Sequence, residues 1–512
     1  MPYYPISLQL ARILLLHLLG GLALLLYLLA ASPVSATPIN ATLPDDYEDS
    51  LPLLGDDSSG IISLAEEKKL GRAWLQSLRN TIPISKDPQI QRYLESLLIK
   101  LSEAAGMNPQ LLSPIVIKDP SINAFAAPGG IIGVNTGLFT KARSEGELSA
   151  VLAHELAHLS QRHYARRIKA NKVNSTAGLV VMLATLLAIL SGSSDNEGNL
   201  AVIYAGTAAL QASALNYSRR DEREADRVGF RTLTRAGFSP FAAVKMFETL
   251  RESYKLSSTR PPEYLLTHPY TEERLADARN RANQLLDAKQ HFGILDSPLF
   301  HLIQIRATLA DATHLTQTIL EQERAHKTTT GIERIFATYL LTLAYSRQNE
   351  SEQALALLDT VDDASLPTEL LLPFTLLKAE VYLASNQQQL ALELLRPLES
   401  TNSGDYAFAM ILAQALVATK QYEQASQLLR HWRAFRPQDP FVWERLADVQ
   451  LLRGNVLEYH RSSARFAELN GRYTAAIQHM SEAINLAIED AQLHQALLDQ
   501  QEVLAELAKA EL

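Results

Sequence analysis

The chain has 512 residues, enough for about two to four domains that each bury a core of their own. A formal net charge of −9 leaves no basic footprint for nucleic acid, and 47% hydrophobic with 20% charged residues is an ordinary globular composition. With no cysteine, disulfides, thiolate metal ligands and a lipid anchor on an N-terminal Cys are excluded, so any metal must be held by imidazole and carboxylate.

The run from Ile13 to Ala31 is apolar and leads into Val34-Ser35-Ala36, where Val34 and Ala36 fit a small-residue cleavage site. Residues 1–36 are expected to be a signal peptide. The alternative is an uncleaved N-terminal anchor, because the run nearly spans a bilayer and only Arg12 and the α-amino group are positive. Either way the rest of the chain is expected outside the cytoplasm. Residues 37–60, with Pro38, Pro44, Pro52 and the pairs Asp45-Asp46 and Asp56-Asp57, read as a flexible lead-in.

Ile61 to Asn80 and Pro88 to Ala105 have the periodicity of amphipathic helices, and Ile115 to Lys118 follows as a short strand. Ile122 to Asn135 reads as two extended segments around Pro128-Gly129-Gly130. The first of them, with Asn123, Ala124 and Phe125, is either an ordinary hairpin arm or an edge that takes a substrate as an added strand.

Next comes His154-Glu155-Leu156-Ala157-His158, preceded by an N-cap and capping box at Ser144-Glu145-Gly146-Glu147. Leu148, Val151, Leu152, Leu156 and Leu159 supply an apolar stripe, so the motif belongs on a helix. Positions i and i+4 share a face, so both imidazoles can reach one metal. Glu155, beside the first ligand, can take a proton from a water at that metal. Thr176 to Leu190 and Leu200 to Leu215 follow as an apolar hairpin, each arm shorter than a membrane span; buried or membrane-leaning helices are expected.

A hydrolytic zinc site needs a third protein ligand and an open position. Asp221-Glu222-Arg223-Glu224-Ala225-Asp226 offers Glu222 and Asp226 on one helix face, one to ligate and the other to accept a ligating imidazole's N–H, with Glu224 facing elsewhere. These pieces resemble the gluzincin metallopeptidases that include the CaaX prenyl proteases and the heat-shock membrane protease HtpX. The likeness rests on Asn123-Ala124-Phe125, the His-Glu-Leu-Ala-His motif, Ser218-Arg219 with Glu222 and Ala225-Asp226, then Leu266-Thr267-His268-Pro269 and Arg274-Leu275-Ala276-Asp277. It covers about residues 60 to 290 and implies Glu222 as third ligand to one zinc per chain, with Asp226 supporting a ligand from behind.

His268 has three readings: a fourth zinc ligand at rest, a hydrogen-bond donor to the transition state, or a helix-entry residue before Pro269 and the N-cap Thr271. Arg274 is a weaker candidate for pairing with substrate or a site carboxylate.

From about residue 330 a spaced pattern sets in. Ala344-Tyr345, Asn349 and Ala354 recur as Ala379 through Tyr382, Asn386 and Ala391, and then as Lys420 and Ala425. These spacings resemble degenerate tetratricopeptide repeats, which present a concave surface to peptides or partners.

The expected fold is therefore mainly α: a helical zincin domain with a small β-sheet over residues 61–295, followed by an α-solenoid over residues 300–512. Together the halves resemble exported proteases that join a zinc domain to such repeats. That likeness implies a Gram-negative periplasm, quality control of unfolded or misassembled outer-membrane proteins, and contact with the barrel-assembly machinery. Peripheral membrane contact follows from the apolar hairpin or an uncleaved anchor. Two alternatives stand: a chaperone-like scaffold with a latent peptidase domain, and a structural zinc protein with a closed four-ligand site. Because every site residue precedes about residue 275, the solenoid is expected to be dispensable for holding the metal.

Overall fold

The computed structural model describes residues 62–170, 175–190, 218–256, 263–287, 297–311 and 315–511. The expected signal segment, the lead-in and the second apolar arm at 200–215 lie outside these residues.

Helix α1, Leu64–Thr81, starts at a reciprocal capping box between Ser63 and Glu66. Helix α2, Pro88–Ala105, starts where Asp87 accepts the amides of Gln89 and Ile90, and stops at Gly106 in the left-handed region (φ +71°). Strands β1 (Ser113–Ile117), β2 (Ala124–Ala127) and β3 (Ile131–Asn135) form a sheet in the order β1-β3-β2, with β3 parallel to β1 and antiparallel to β2. The predicted extended segments are thus β2 and β3. Their turn needs its glycines: Gly129 and Gly130 have φ of +85° and +82°, and a Cβ on Gly130 would lie 2.0 Å from the Leu111 carbonyl oxygen.

Helix α3 (Thr136–Lys141) leads to α4 (Glu145–Ser160), α5 (His163–Ala170) and α6 (Ser175–Leu190). Helices α7 (Arg219–Arg235), α8 (Phe241–Leu256), α9 (Glu263–Thr267) and α10 (Glu272–Asp287) complete this half. The capping box expected at α4 is half formed. Ser144 accepts the amide of Glu147, but the Glu147 carboxylate accepts from the amide of Arg143 and the hydroxyl of Thr249. Helix α4 is buried almost all round rather than along one stripe, because α2, α7, α8 and β2 all pack on it. Of the apolar hairpin, the described arm α6 adds Met182, Leu183 and Leu186 to the core, and Trp74 Nε1 donates to the Leu183 carbonyl at 2.7 Å. No described helix is long and apolar enough to cross a membrane.

Helix α11, Pro298–Asp311, is shared between two cores. Phe300, Ile303 and Ala307 join the core of the first half, while Leu302, Ile305 and Leu309 join that of the first repeats. Helices α12 (Leu315–Thr328), α13 (Gly331–Arg347), α14 (Ser351–Leu358), α15 (Thr368–Ala384), α16 (Gln388–Leu395) and α17 (Tyr406–Ala418) continue the array. It ends with α18 (Tyr422–Phe435), α19 (Pro440–Leu452), α20 (Val456–Leu469), α21 (Tyr473–Leu486) and α22 (Ala491–Glu511). Asn349, Asn386, Lys420 and Gly454 each turn one helix into the next with φ between +57° and +72°. The sequence period is therefore a period of left-handed turns, which Asn and Gly tolerate best.

The array does not hang free. Arg436 grips Glu95 of α2 through two bonds of 2.6 and 2.8 Å, Arg92 bonds Asp405, and Arg79 and Gln76 of α1 bond the Leu469 carbonyl and the Tyr473 hydroxyl. Buried Arg306 joins Asp87, the cap of α2, to Glu380 on α15. Separability of the solenoid, expected from the position of the site residues, therefore meets a built interface.

Candidate metal centre

Helix α4 carries His154, Glu155 and His158, exposed by 5%, 0% and 1%. Helix α7 lies across it, and Gly229 lets it approach: a Cβ there would sit 3.0 Å from the backbone of Ala153 and His154. That contact brings Glu222 and Asp226, one turn apart on α7, over the imidazoles. His268, just past α9, closes the cluster.

One ligand atom from each of His154, His158, Glu222 and His268 falls within 4.8 Å of the others, and all four residues are buried. His154 Nε2 lies 2.9 Å from His158 Nε2 and 3.3 Å from His268 Nδ1, and Glu222 Oε1 lies 2.9 Å from His268 Nδ1 and 3.4 Å from His158 Nε2. This donor set of imidazoles and one carboxylate is the type that zinc takes. Glu155 is wholly buried beside it, with His268 Nε2 3.5 Å from its Oε1 and the Tyr264 hydroxyl as a further side-chain partner. The residues present therefore fit a zinc ion with a neighbouring base.

Partners behind the cluster orient it. Asp226 Oδ1 lies 3.0 Å from His154 Nδ1, the contact that leaves Nε2 its lone pair. Arg274, the weaker candidate from sequence, holds Asp226 with two bonds of 2.7 Å and reaches Glu222 Oε2 at 2.8 Å, so it ties both α7 carboxylates together. It leaves the substrate-pairing role without support. Thr271 caps α10 as expected, accepting the amide of Arg274.

Electrostatics follow from burial and these contacts. Burial pushes the Glu155 carboxyl above its ordinary range, against the opposing pull of His268 and His154. Burial also drives His158 well below its ordinary value, leaving the imidazole neutral, the form that can ligate. For Glu222 burial acts upward, but His268, His158 and Arg274 outweigh it and hold the carboxylate ionised. For Asp226 burial again acts upward and Arg274 and His154 prevail downward.

Of the edge residues, Ala124 and Phe125 lie on β2, the sheet edge against α4, with Asn123 just before it. The Phe125 ring is in the core, edge-on to Trp74 at 5.7 Å and filling the space over Gly133, and Asn123, Ala124 and Phe125 are all buried. Glu224 faces away from the ligand atoms, as its helix position predicts, and is half-buried and paired: it bonds Arg166 at 2.8 Å and lies 3.4 Å from His163 Nε2.

Sequence reasoning missed His163, whose Nδ1 is 2.8 Å from His158 Nδ1, and Tyr264, whose ring stacks on His268 at 4.7 Å. Burial and the neighbouring Arg166 push His163 down to about 4, so its ring is neutral at neutral pH.

Comparison with known proteins supplies the remaining evidence. Residues 85–282 match Peptidase family M48, and residues 376–449 match the tetratricopeptide repeat. The chain is 28% identical over 461 residues to the beta-barrel assembly-enhancing protease of Escherichia coli O157:H7, covering 89% of this chain and 91% of that one. The protein of the same name from Yersinia pestis is 29% identical over 479 residues, 93% and 95% of the two chains. A mitochondrial metalloendopeptidase of Schizosaccharomyces pombe, OMA1, is 31% identical over 183 residues, 36% of this chain and 50% of its own.

Proposed function

We propose that this chain, a metalloendopeptidase with a family M48 domain over residues 85–282 and tetratricopeptide repeats behind it, uses zinc to cut misassembled β-barrel proteins in a Gram-negative periplasm. The observation that carries the zinc reading is the convergence of His154, His158 and Glu222 on one point, with Glu155 buried beside it. The substrate and compartment rest on full-length similarity to proteases named for β-barrel assembly, and on the apolar N-terminal run read as a signal peptide over residues 1–36. In this reading residues 61–295 do the chemistry, and residues 300–512 dock partners, including the barrel-assembly machinery.

A zinc ion held there supplies Lewis acidity, lowering the pKa of water toward about 7 and polarising a peptide carbonyl. Glu155 takes the proton from the attacking water and hands it to the leaving amine. Asp226 keeps the His154 ring in the tautomer that presents Nε2, and Arg274 keeps Asp226 and Glu222 in place. The backbone edge of β2 at Asn123 to Phe125 aligns the substrate as an added strand.

Of the three readings of His268, its position inside the donor set favours the fourth-donor reading. His268 then closes the site at rest and must withdraw before a substrate enters. The decisive experiment is zinc content and casein cleavage by the chain from residue 37 onward, beside Glu155→Gln. Zinc in both with cleavage only in the first supports the peptidase. Capture of unfolded β-barrel protein without cleavage in either supports the chaperone-like scaffold instead.

A further inference from the structure

We infer that His163 is a positioning residue of the metal centre: it accepts the Nδ1 proton of His158 and so fixes the ring that presents Nε2 to the metal. The inference rests on the proposed zinc site. His158 Nε2 faces the donor cluster, 2.9 Å from His154 Nε2, so Nδ1 is the nitrogen that keeps its proton when Nε2 ligates. Its acceptor is His163 Nδ1 at 2.8 Å, with the two rings edge to face at 4.8 Å.

That contact cannot arise on a continuous helix. Five residues rotate a side chain by about 140° from its starting face, so His163 would point away from His158. The chain instead breaks after α4. Arg162 takes φ +47°, a left-handed conformation that a non-glycine residue rarely adopts, and α5 restarts at His163 with the imidazole turned back.

The turn is clamped from a distant element. Arg162 pairs with buried Glu67 of α1 and donates to the Ile62 carbonyl at 2.9 Å, while the Tyr164 hydroxyl donates to the same Glu67. Residues on both sides of His163 are thus tied to one carboxylate. On its far side His163 Nε2 lies 3.4 Å from Glu224 Oε2, and Arg166 holds that carboxylate at 2.8 Å. Metal-bound imidazoles commonly donate straight to a carboxylate or carbonyl. Here a second imidazole stands between, wholly buried, with the carboxylate one step behind. His163, Asp221 and Glu224 also lie close enough for one cation, and there the Arg166 guanidinium already pairs with Glu224 at 2.8 Å.

The test uses the full chain in a Glu155→Gln background, so that self-cleavage does not intervene. Zinc Kd by chelator competition, zinc per chain, and the thermal midpoint of the metal-free form are measured for the background and for His163→Asn, His163→Gln and His163→Leu. Asn can offer an acceptor where Nδ1 stood; Gln places its polar end where Nε2 stood, and Leu offers none. The expected result is one zinc per chain, Kd within about threefold of the background for Asn, and about 10- to 100-fold weaker for Gln and Leu. Metal-free midpoints of the Asn and Gln variants should agree. Equal Kd in all variants overturns the inference alone, as does weakened binding that tracks a fall in the metal-free midpoint. A second zinc equivalent that disappears with His163 also overturns it, in favour of a separate metal site. A background chain that binds no zinc overturns the zinc reading and this inference together. If His163→Leu does not fold, the Asn and Gln pair decides by itself.

Discussion

Phe300→Ala should loosen the metal centre although Phe300 lies in the first helix of the repeat half. The ring is 2% exposed and stacks on Tyr93 of α2 with centroids 6.0 Å apart, and the Tyr93 hydroxyl donates at 2.6 Å to Glu145 in the first turn of α4. Truncating a buried Phe costs about 3–5 kcal/mol through lost burial and the cavity left behind. A domain is stable by only about 5–15 kcal/mol, so this is a large share of the whole. With a denaturant slope of about 3 kcal/mol/M in urea, the midpoint of zinc release should fall by about 1–1.7 M. The assay follows zinc release with a metal-sensitive dye and helix content by circular dichroism, in the Glu155→Gln background. Phe435→Ala is the comparator, because that ring is 70% exposed and its loss should stay within about 0.5 kcal/mol. If zinc release is unmoved while repeat unfolding shifts, α11 belongs to the solenoid alone and the shared-core argument is wrong.

Glu155→Gln should keep zinc and fold while proteolysis falls by at least about 100-fold, since a base is removed and no ligand is; retained cleavage of casein would refute the assignment. Glu222→Gln should weaken zinc binding at least about tenfold, whereas Glu224→Gln, separated from the ligands by His163, should change it by no more than about threefold; equal effects in a chelator titration would mean the ligand choice is wrong. His268→Ala should raise the rate on a short unstructured peptide if His268 closes the site at rest. A fall in kcat with KM unchanged would assign it to the transition state instead. Asp226 is held below its ordinary carboxyl range, so its contribution to folding is complete above about pH 4 and is lost as pH falls through its lower folded value. Asp226→Asn should therefore flatten the acid-side fall in the metal-free thermal midpoint below about pH 4, and an unchanged profile would count against the Arg274 pairing.

What could be read from residues alone was whatever depends on local periodicity. His154 and His158, and Glu222 and Asp226, are each four apart, and the helix repeat puts each pair on one face before any packing is known. The repeat array was legible for the same reason: the recurring positions Asn349, Asn386 and Lys420, 37 and then 34 residues apart, fall on left-handed turns. Tertiary structure decided the rest. Arg274 becomes the clamp on two carboxylates only because α10 packs beside α7. His163 reaches His158 only because Glu67, nearly a hundred residues earlier, holds Arg162 in a conformation that no local propensity favours. Helix α11 shows why a domain boundary drawn from composition is ambiguous: its two faces are both apolar, and periodicity cannot say which core each will join. A helix face is a property of the local chain, whereas the surface it meets is set by contacts between distant segments.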